Sequence, residues 1–292
     1  NVQGFGLGKA FCRLGYDFDF LCFSSKEEKE YVLCEESGHK LTVIVKKRLR
    51  LFRTGINLSI CNKEFLSQYE FVISCEYGQF MTYALSKASD NVVMYSGPYY
   101  NLFMLPFMSP IYDAIFTKPI NKNLKCKFVK SELAKEYLEK KGYTNLVNIG
   151  VALDIERFDE DVIIQPETQK LIQFMKNNRC ILYVGALSDR KNYPFTLEVY
   201  KKVLVDNPDV KLVLIGKGEQ SYIETYMGQL SKVEQSGVYR LERIDNAQLK
   251  YIYPLAKAFL LPSKLEIFGM VLLESMYLGA PVITSWNGGS ST

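Results

Sequence analysis

The segment 180-CILYVGALSDRKNYPFTLEVYKKVLVDNPDVKLVLIGKGE-219 decides the fold. Two apolar runs, CILYVGA and VKLVLIG, flank a helix-length segment that begins near Pro194. Near-continuous apolar runs are typical of strands that are covered on both faces of a parallel sheet. A strand, a helix and a second strand at this spacing form a right-handed βαβ unit. We therefore predict a parallel sheet built around residues 180–215.

The same alternation continues through most of the 292 residues. Predicted strands of the first half are FDFLCF, LTVIV, FVISC, NVVMYS and CKFVK, and those of the second half also include GVYRLE, AFLLPS and PVITS. A polar, acidic stretch at 152–178, with a lead-in helix, separates the two sets. We predict an α/β protein with two Rossmann-like domains, 1–152 and 153–292. Their parallel sheets would face each other across a cleft lined by strand carboxyl ends.

Composition excludes several classes of protein. A hydrophobic content of 48% with 23% charged residues indicates a globular chain, and a net charge of +4 does not favour a nucleic-acid partner. The seven cysteines form no Cys-x-x-Cys pair and there is one histidine, so we expect no metal site and a reducing, cytoplasmic compartment. No apolar run reaches the roughly 18 residues that a membrane span needs.

Two loops that follow predicted strands carry candidate ligand contacts. In VGALSDRKN, Gly185 leads to the adjacent cations Arg190 and Lys191, which would neutralise a diphosphate at a strand end. In LVLIGKGE, Gly216 and Gly218 would let a flat ligand such as a base approach the backbone. Taken alone, the first loop is more often a solvated basic turn, and the second is more often a plain turn.

A third loop joins the strand AFLLPS to the helix MVLLESMYLG. Gly269 stands where the helix should begin, so the N–H groups of Phe268, Gly269 and Met270 would be available to phosphate oxygens. Glu266 and Glu274 would lie about 12 Å apart if the whole stretch were helical, which suits two hydroxyl-rich ends of one ligand. Glu274 shares a face with apolar neighbours, and ribose hydroxyls would satisfy its carboxylate.

The order VGAL…RKN, LIGKGE, LPS, E-x-F-G-x₄-E, GAPVI and NGG resembles the C-terminal domain of retaining family 4 glycosyltransferases with the GT-B fold. The resemblance covers residues 180–292 densely, and IGVALDIERF resembles the interdomain signature of that family with one extra residue. It implies that Lys191 holds the donor diphosphate and that Glu274 binds the ribose. It also implies that Glu266 and the amides of Phe268 and Gly269 meet the sugar and the phosphate.

The N-terminal half resembles the family more loosely. QGFGLGKAF places Gly4 and Gly6 where their amides would approach an anion at a helix N-terminus, although a tight turn explains them as well. The resemblance implies that both glycines close over the donor from the opposite domain. Later in this half, Ser131 is predicted to begin a helix.

The sequence departs from the family pattern at two places. Ala186 stands where the family usually has arginine, and Arg190 is placed to substitute for it. The family histidine of the N-terminal domain has no obvious counterpart, because His39 lies in the predicted surface turn SGHK. The corresponding segments, ISCEYG and YSGPYYN, offer three residues for the pocket instead: Glu76, Tyr77 and Tyr99.

The resemblance implies a retaining hexosyltransferase that moves a sugar from a UDP- or GDP-sugar to an acceptor hydroxyl in bacterial surface polysaccharide or glycoconjugate synthesis. It implies front-face attack without a metal or a cofactor other than the donor. The acceptor would be a sugar or a lipid-linked sugar. The basic segment KKRLRLFR at 46–53, from Lys46 to Arg53, would make a peripheral contact with the inner face of the membrane, or would be a solvated loop.

Two rival functions stay open from the sequence. An NAD-dependent oxidoreductase would use the N-terminal glycines, although Ser24 and Ser25 stand where an acidic ribose ligand is expected. A non-catalytic nucleotide-sugar-binding module would explain Ala186 and the missing histidine. We also expect the chain to be a fragment that lacks the first strand and the C-terminal end of the family fold.

Overall fold

A computed structural model describes residues 2–51 and 54–292 of the chain. It divides into two compact units: unit 1 runs to Asp154 and includes Ser291–Thr292, and unit 2 spans Ile155–Ser290. The sequence placed the boundary after residue 152. Parallel strands and helices alternate in both units, so the predicted α/β class is confirmed. Within the described residues, no helix combines the length and the apolar character that a bilayer crossing requires.

The described part of unit 1 contains short helices and three sheets. The helices are α1 (Val2–Arg13), α2 (Lys63–Leu66), α3 (Phe80–Ala88), α4 (Met108–Tyr112), α5 (Lys118–Asn123) and α6 (Glu132–Lys140). The strands are β1 (Phe18–Ser24), β2 (Lys29–Glu36), β3 (His39–Lys47), β4 (Leu49–Leu51), β5 (Thr54–Ile56), β6 (Val72–Cys75), β7 (Val92–Ser96), β8 (Lys127–Val129) and β9 (Leu146–Asn148). A π-helical segment, Asp113–Thr117, joins α4 to α5.

The strands of unit 1 form a parallel sheet in the order β6-β7-β8-β9, a mixed sheet in the order β1-β3-β2, and the hairpin β4-β5. The five strands predicted for this half are confirmed as β1, β3, β6, β7 and β8. Strand β2 was missed because half of the residues of its sequence, KEYVLCEE, are charged and most are exposed, as is typical of an edge strand. The helix predicted after Ser131 is also confirmed, since the Ser131 side chain accepts a hydrogen bond from the Ala134 N–H.

Unit 2 is built around one parallel sheet in the order β12-β11-β10-β13-β14. Its strands are β10 (Cys180–Val184), β11 (Lys211–Ile215), β12 (Val238–Leu241), β13 (Ala258–Leu261) and β14 (Val282–Thr284), as predicted. Its helices are α7 (Pro166–Asn177), α8 (Tyr193–Asp206), α9 (Gln220–Met227), α10 (Lys232–Ser236) and α11 (Met270–Tyr277). Leu182, Leu212 and Phe259 are fully buried, and burial of such a side chain stabilises the fold by about 1.5–3 kcal/mol.

Two segments of unit 2 have the length of a single helix but form shorter helices instead. The segment QSYIETYMGQLSKV forms two helices, because Ser231 caps α10 in a capping box with Glu234. The segment NAQLKYIYPLAK forms the 3₁₀ helices Asn246–Tyr251 and Tyr253–Leu255. Pro254 lacks the N–H that a continuous α-helix would need at that point.

Strand order reverses beside β10. Strands β11 and β12 lie on one side of β10, and β13 and β14 lie on the other. At such a reversal the loops that follow the two central strands diverge, which leaves a crevice at the carboxyl edge of the sheet. This topology brings the loop after β10 and the loop after β13 to the same edge.

Candidate functional site

The loops that follow β10 and β13 bring together two charged residues that are 75 positions apart in the chain. Lys191 immediately precedes α8, and Glu266 lies in the loop before α11. The Lys191 Nζ contacts the Glu266 Oε2, and each side chain is only 12% exposed. The structure therefore joins two of the predicted site residues in one sheltered ion pair.

Arg190 belongs to the same cluster but faces the solvent more. Its Nη1 donates to the Leu265 carbonyl oxygen at 2.9 Å and lies 3.9 Å from the Glu266 Oε2, and its side chain is 49% exposed. The guanidinium is thus fixed to the backbone of the loop after β13. Whether it replaces the family arginine that is absent at Ala186 stays a prediction.

The loop after β13 offers two backbone donors beside the ion pair. Gly269 adopts a left-handed conformation with φ +82°, and α11 begins at the next residue. Among the described residues, no acceptor meets the N–H groups of Phe268 and Gly269, although both residues are buried. Such donors at a helix N-terminus form a ready site for an anion.

A second loop supports this segment from behind. Cβ atoms added to Gly288 and Gly289 would overlap the carbonyl oxygens of Ile267 and Phe268. The Gly288 N–H also donates to the Glu266 carbonyl oxygen at 3.1 Å. The NGG motif therefore acts as a backbone support for the loop that carries Glu266.

Gly216 and Gly218 have a structural role that the sequence did not reveal. A Cβ at Gly216 would overlap the Gly185 carbonyl oxygen, and one at Gly218 would overlap the carbonyl oxygen of Leu187. The Leu187 N–H donates to the Lys217 carbonyl oxygen at 2.8 Å. The absence of side chains lets the loops after β10 and β11 pack backbone against backbone. Their predicted contact with a donor stays a prediction.

Glu274 is buried, as expected, but it already has protein partners. Its Oε1 lies 2.6 Å from the Arg157 Nη2, and the Tyr253 hydroxyl donates to its Oε2 at 3.4 Å. Burial and the neighbouring Glu274 carboxylate raise the pKa of Tyr253. Arg157 and Tyr253 thus satisfy the Glu274 carboxylate within the protein, and its predicted contact with a ribose stays a prediction.

Arg157 is a residue of the site region that the sequence analysis missed. It lies in the 3₁₀ helix Glu156–Phe158, and its guanidinium carbon stands 4.6 Å from the centroid of the Phe158 ring. The IERF end of the interdomain signature was the available signal, because it pairs a cation with an aromatic ring.

The predicted spacing of Glu266 and Glu274 rested on a continuous helix, and that premise is wrong. Helix α11 begins at Met270, and the left-handed Gly269 separates it from Glu266. The 12 Å estimate from helical rise therefore does not apply. The two carboxylates instead belong to different environments: one pairs with Lys191 in a loop, and the other pairs with Arg157 under the helix.

Gly4 and Gly6 lie inside α1 rather than in a loop, so the predicted glycine turn is wrong. A Cβ on Gly4 would overlap the Phe20 ring, and one on Gly6 would lie 3.1 Å from the Asp154 Cβ. Close packing explains why both positions lack side chains. Their contact with a donor stays a prediction, and the glycine loop that an NAD site would need is absent from this part of the described chain.

Unit 1 also places charged groups at strand ends. Glu76 follows β6 in a left-handed conformation with φ +72°. Its carboxylate lies 3.6 Å from the Lys130 Nζ and accepts from the Ser96 hydroxyl at 3.3 Å and the Gly97 N–H at 3.1 Å. The Lys130 Nζ also stands 4.8 Å from the centroid of the Tyr95 ring. This predicted pocket residue is held by charge-assisted hydrogen bonds.

The other residues suggested for unit 1 have different surroundings. Tyr77 is buried in the core against the rings of Tyr112 and Tyr143, and its role in a pocket stays a prediction. The Tyr99 ring packs against Tyr100 at 5.2 Å, and its role in a pocket stays a prediction. His39 begins β3 directly after the turn at Gly38, close to its predicted place.

The basic segment at 46–53 is only partly described. Lys46 and Lys47 end β3, and β4 begins at Leu49. Phe52 and Arg53 lie outside the described residues. In the part of the chain that is described, no cluster of three or more His, Cys, Asp or Glu side chains is arranged to hold a metal ion.

The part of the chain that contains the Lys191–Glu266 ion pair is similar to known proteins. Residues 165–292 match the family model described as Glycosyl transferases group 1. Unit 2 carries a glycosyl transferases group 1 domain. A glycosyltransferase of Methanocaldococcus jannaschii described as uncharacterized is 33% identical over 122 residues, which cover 41% of this chain and 30% of that relative.

Two further relatives are mannosyltransferases by name. The O-antigen chain mannosyltransferase B of Escherichia coli is 29% identical over 106 residues, 36% of this chain and 28% of that protein. The phosphatidyl-myo-inositol mannosyltransferase of Mycobacterium tuberculosis is 23% identical over 170 residues, 58% of this chain and 42% of that protein. The matched stretches thus span less than half the length of these curated relatives.

Solved structures show that the similarity of fold extends beyond the matched domain. Trehalose-6-phosphate synthase OtsA aligns with a TM-score of 0.70 at 11% identity, covering 99% of this chain and 82% of that one. Anabaena HepE in complex with UDP aligns with a TM-score of 0.64 at 18% identity. The alignment covers 85% of this chain and 68% of the HepE chain. Each unit contains a sheet of parallel strands, and the structural similarity to these two proteins shows the predicted GT-B fold class.

Proposed function

We propose that the chain binds a nucleotide-diphosphate sugar at the strand ends of unit 2 and transfers the sugar to an acceptor hydroxyl with retention of configuration. The Lys191–Glu266 pair beside the N–H groups of Phe268 and Gly269 is the observation that carries this proposal. A cation and two amides suit phosphate oxygens, whereas a carboxylate suits sugar hydroxyls. Both kinds of group are needed by a molecule that joins a sugar to a diphosphate.

Binding of such a donor would exchange partners within the pair. The diphosphate would take Lys191, and a sugar hydroxyl would donate to Glu266, so neither sheltered charge would be left alone. Removing one partner of a buried ion pair without a substitute is strongly unfavourable. The pair therefore keeps both charges satisfied before the donor arrives and makes them available afterwards.

The chemical step would place negative charge on the departing diphosphate while the sugar becomes oxocarbenium-like. Lys191 and the two amides are held by the fold before the reaction begins. Donors and cations fixed in this way stabilise the developing charge without reorganising, which is often the largest contribution to catalysis. No step in this scheme needs a group beyond the donor and the acceptor.

The comparisons guide the choice of substrates to test. HepE has been crystallised with UDP-glucose, and two relatives are named as mannosyltransferases. UDP-glucose and GDP-mannose are therefore the first donors to try. We propose a sugar or a lipid-linked sugar as the acceptor, in surface polysaccharide or glycoconjugate synthesis. A cytoplasmic location and a peripheral membrane contact through residues 46–53 belong to the same proposal.

A thermal-shift titration tests the binding part of the proposal. We expect one nucleotide sugar to raise the unfolding temperature in proportion to the logarithm of its concentration, and NADH to leave it unchanged. Lys191→Ala should remove the shift, whereas Lys202→Ala, an exposed change on α8, should preserve it. Stabilisation by NADH alone would overturn the assignment.

A second assay separates transfer from mere binding. The donor found by thermal shift is incubated with the chain and candidate acceptors, and the release of UDP or GDP is followed together with the anomeric configuration of the product. Arg190 is bonded to a backbone carbonyl and Ala186 carries no charge, which favours the non-catalytic alternative as the second candidate. Donor binding without nucleotide release at any acceptor would support that alternative.

A further inference from the structure

Residues 102–115 of unit 1 expose an unusual number of large apolar side chains. The segment LFMLPFM at 102–108 contains seven consecutive residues without a polar side chain. Six large apolar residues of the wider stretch are between 37% and 61% exposed: Leu102, Met104, Leu105, Phe107, Ile111 and Ile115. We call these six residues the apolar face. Large exposed apolar patches mark interaction sites on soluble proteins.

The loop part of this face is held in a fixed shape. The Asn101 side chain accepts from the Phe103 N–H at 2.9 Å and donates to the Pro106 carbonyl oxygen at 3.3 Å. The Phe103 ring packs against Tyr112 with 5.3 Å between centroids. Phe103 therefore anchors the loop to the core, and its neighbours point away from the core in the folded state.

The helical part of the face continues into a cationic stripe. From Met108 to Asn123 the chain runs through α4, the π-helical segment and α5 without a break. Ile111, Ile115, Lys118 and Lys122 are exposed along it, at intervals of three or four residues. Tyr112, Thr117 and Ile120 are buried on the inner side. The outer side is thus apolar at its start and basic at its end.

The charged residues of the surrounding sequence differ in how far they are compensated by partners. Residues 97–131 contain five lysines and one acidic residue, Asp113, which gives a net charge of 5 − 1 = +4. Asp113 is paired with Lys141 on the inner side, so its charge is already compensated. Lys125 pairs with Asp90, Lys130 pairs with Glu76, and Lys127 is buried, so these three lysines add little positive charge at the surface. Lys118 and Lys122 therefore supply the exposed positive charge beside the apolar face, where an anionic partner would meet it.

We infer that the apolar face docks on an anionic lipid bilayer, with the loop 102–107 in the boundary between headgroups and acyl chains and with Lys118 and Lys122 at the lipid phosphates. An apolar surface that is bordered by lysines is typical of segments that lie in a membrane interface. Lysine is depleted in protein–protein interfaces, which favours a lipid surface over a protein partner. This inference does not depend on the proposed sugar transfer, and it involves residues other than the basic segment at 46–53.

Co-sedimentation with vesicles tests the inference directly. We expect the chain to bind vesicles of phosphatidylcholine with phosphatidylglycerol, and to bind pure phosphatidylcholine much more weakly. The triple change Phe107→Ser, Ile111→Ser and Ile115→Ser should weaken partitioning on the order of 100-fold, because it removes the inserted apolar surface. The matched control is Val205→Ser with Val233→Ser, two exposed apolar residues of unit 2, and it should leave partitioning unchanged.

The lysines are tested separately. The pair Lys118→Gln and Lys122→Gln should weaken binding to anionic vesicles about 30-fold, since each surface lysine contributes roughly a factor of five. The pair Lys201→Gln and Lys202→Gln removes the same charge from exposed positions on α8. It should weaken vesicle binding less than the pair Lys118→Gln and Lys122→Gln does. Equal effects of the two pairs would show that net charge alone drives the binding, and would overturn the inference.

A tryptophan at the apolar face distinguishes insertion from a contact with headgroups alone. The chain has a single tryptophan, Trp286 in unit 2, so Phe107→Trp in a Trp286→Phe background places the only reporter in the loop. Its emission should shift to shorter wavelength on anionic vesicles. Unchanged emission would contradict insertion. If Phe107→Ser instead converted a dimer to a monomer without changing vesicle binding, a second copy of the chain would be the occupant.

Discussion

The two units each hold a lysine–glutamate pair at the carboxyl ends of parallel strands, but the pairs are built differently. In unit 2, Lys191 and Arg190 both lie near the Glu266 carboxylate, beside two amides that have no acceptor among the described residues. In unit 1, Glu76 is held by Lys130, the Ser96 hydroxyl and the Gly97 N–H together. The proposed function requires the first arrangement to exchange partners with a ligand, whereas hydrogen bonds from Ser96 and Gly97 hold the carboxylate of the second in place.

The backbone that positions the glutamate also differs between the two units. The loop of Glu266 rests on Gly288 and Gly289, whose missing side chains let the two backbones touch. Glu76 is itself in the left-handed region, where a non-glycine residue costs roughly 1–2 kcal/mol. A rigid scaffold thus carries the first pair, and local strain accompanies the second. The comparison teaches that similar charges at similar places on a sheet need not have similar roles.

The largest expected effect falls on the pair of unit 2. Lys191→Ala should lower turnover by about 10²–10³-fold, because it removes a fixed cation from the developing diphosphate charge. The measurement is steady-state release of the nucleotide from the donor identified by thermal shift, with circular dichroism to verify the fold. Lys130→Ala in unit 1 provides the contrast and should reduce turnover less. Normal turnover in Lys191→Ala would remove the distinction between the two pairs.

The next largest effect concerns stability. Glu274→Ala leaves Arg157 without its partner under α11, and loss of one partner of a buried pair costs roughly 3–5 kcal/mol. We expect the lower end of that range, because the Arg157 side chain is still 17% exposed. Urea unfolding followed by Trp286 fluorescence reports on unit 2.

The control for this change is the double variant Glu274→Ala with Arg157→Met, which removes both charges. It should be more stable than Glu274→Ala alone, since no charge is left uncompensated. Equal stability of the single and double variants would show that the ion pair contributes little.

A smaller loss is expected where the loops of unit 2 touch. Gly216→Ala places a Cβ on the Gly185 carbonyl oxygen, and forced overpacking of this kind costs about 1–3 kcal/mol. Gly279→Ala is the matched change, because Gly279 has φ +84° but no heavy atom within 4 Å of the added Cβ. The free energy of unfolding of Gly279→Ala should fall only by the cost of placing alanine in a left-handed backbone conformation, about 1 kcal/mol. Donor affinity, read by thermal shift, should fall only in the first variant.

The smallest effect isolates the strain in unit 1. Glu76→Gly and Glu76→Ala both release Lys130, but only the glycine relieves the left-handed backbone. The glycine variant should therefore be more stable by about 1 kcal/mol. Urea unfolding followed by far-UV circular dichroism measures the difference. If alanine were as stable as glycine, strain would not distinguish the strand end of unit 1 from that of unit 2.

The strands could be predicted from the sequence where a run of apolar residues marks each of them. Strands β10, β11 and β13 could be predicted from near-continuous apolar runs, because a strand buried on both faces has no polar alternation. Strand β2 was missed because it lies at an edge with charged residues. The turn predicted at Gly4 and Gly6 was wrong because packing against Phe20 and Asp154 also selects glycine.

The sequence by itself determined the α/β class, most strands of the parallel sheets and the candidate charges Lys191 and Glu266; strand β9 was not predicted. Only the tertiary structure decided their partners. Residues 75 positions apart meet because β10 and β13 are neighbours in the sheet, and sequence periodicity carries no information about which strands become neighbours. In the same way, the burial of Glu274 against Arg157 and the exposure of the apolar face depend on which sides of the helices the core covers. Local patterns specify elements, whereas packing between distant elements specifies the site.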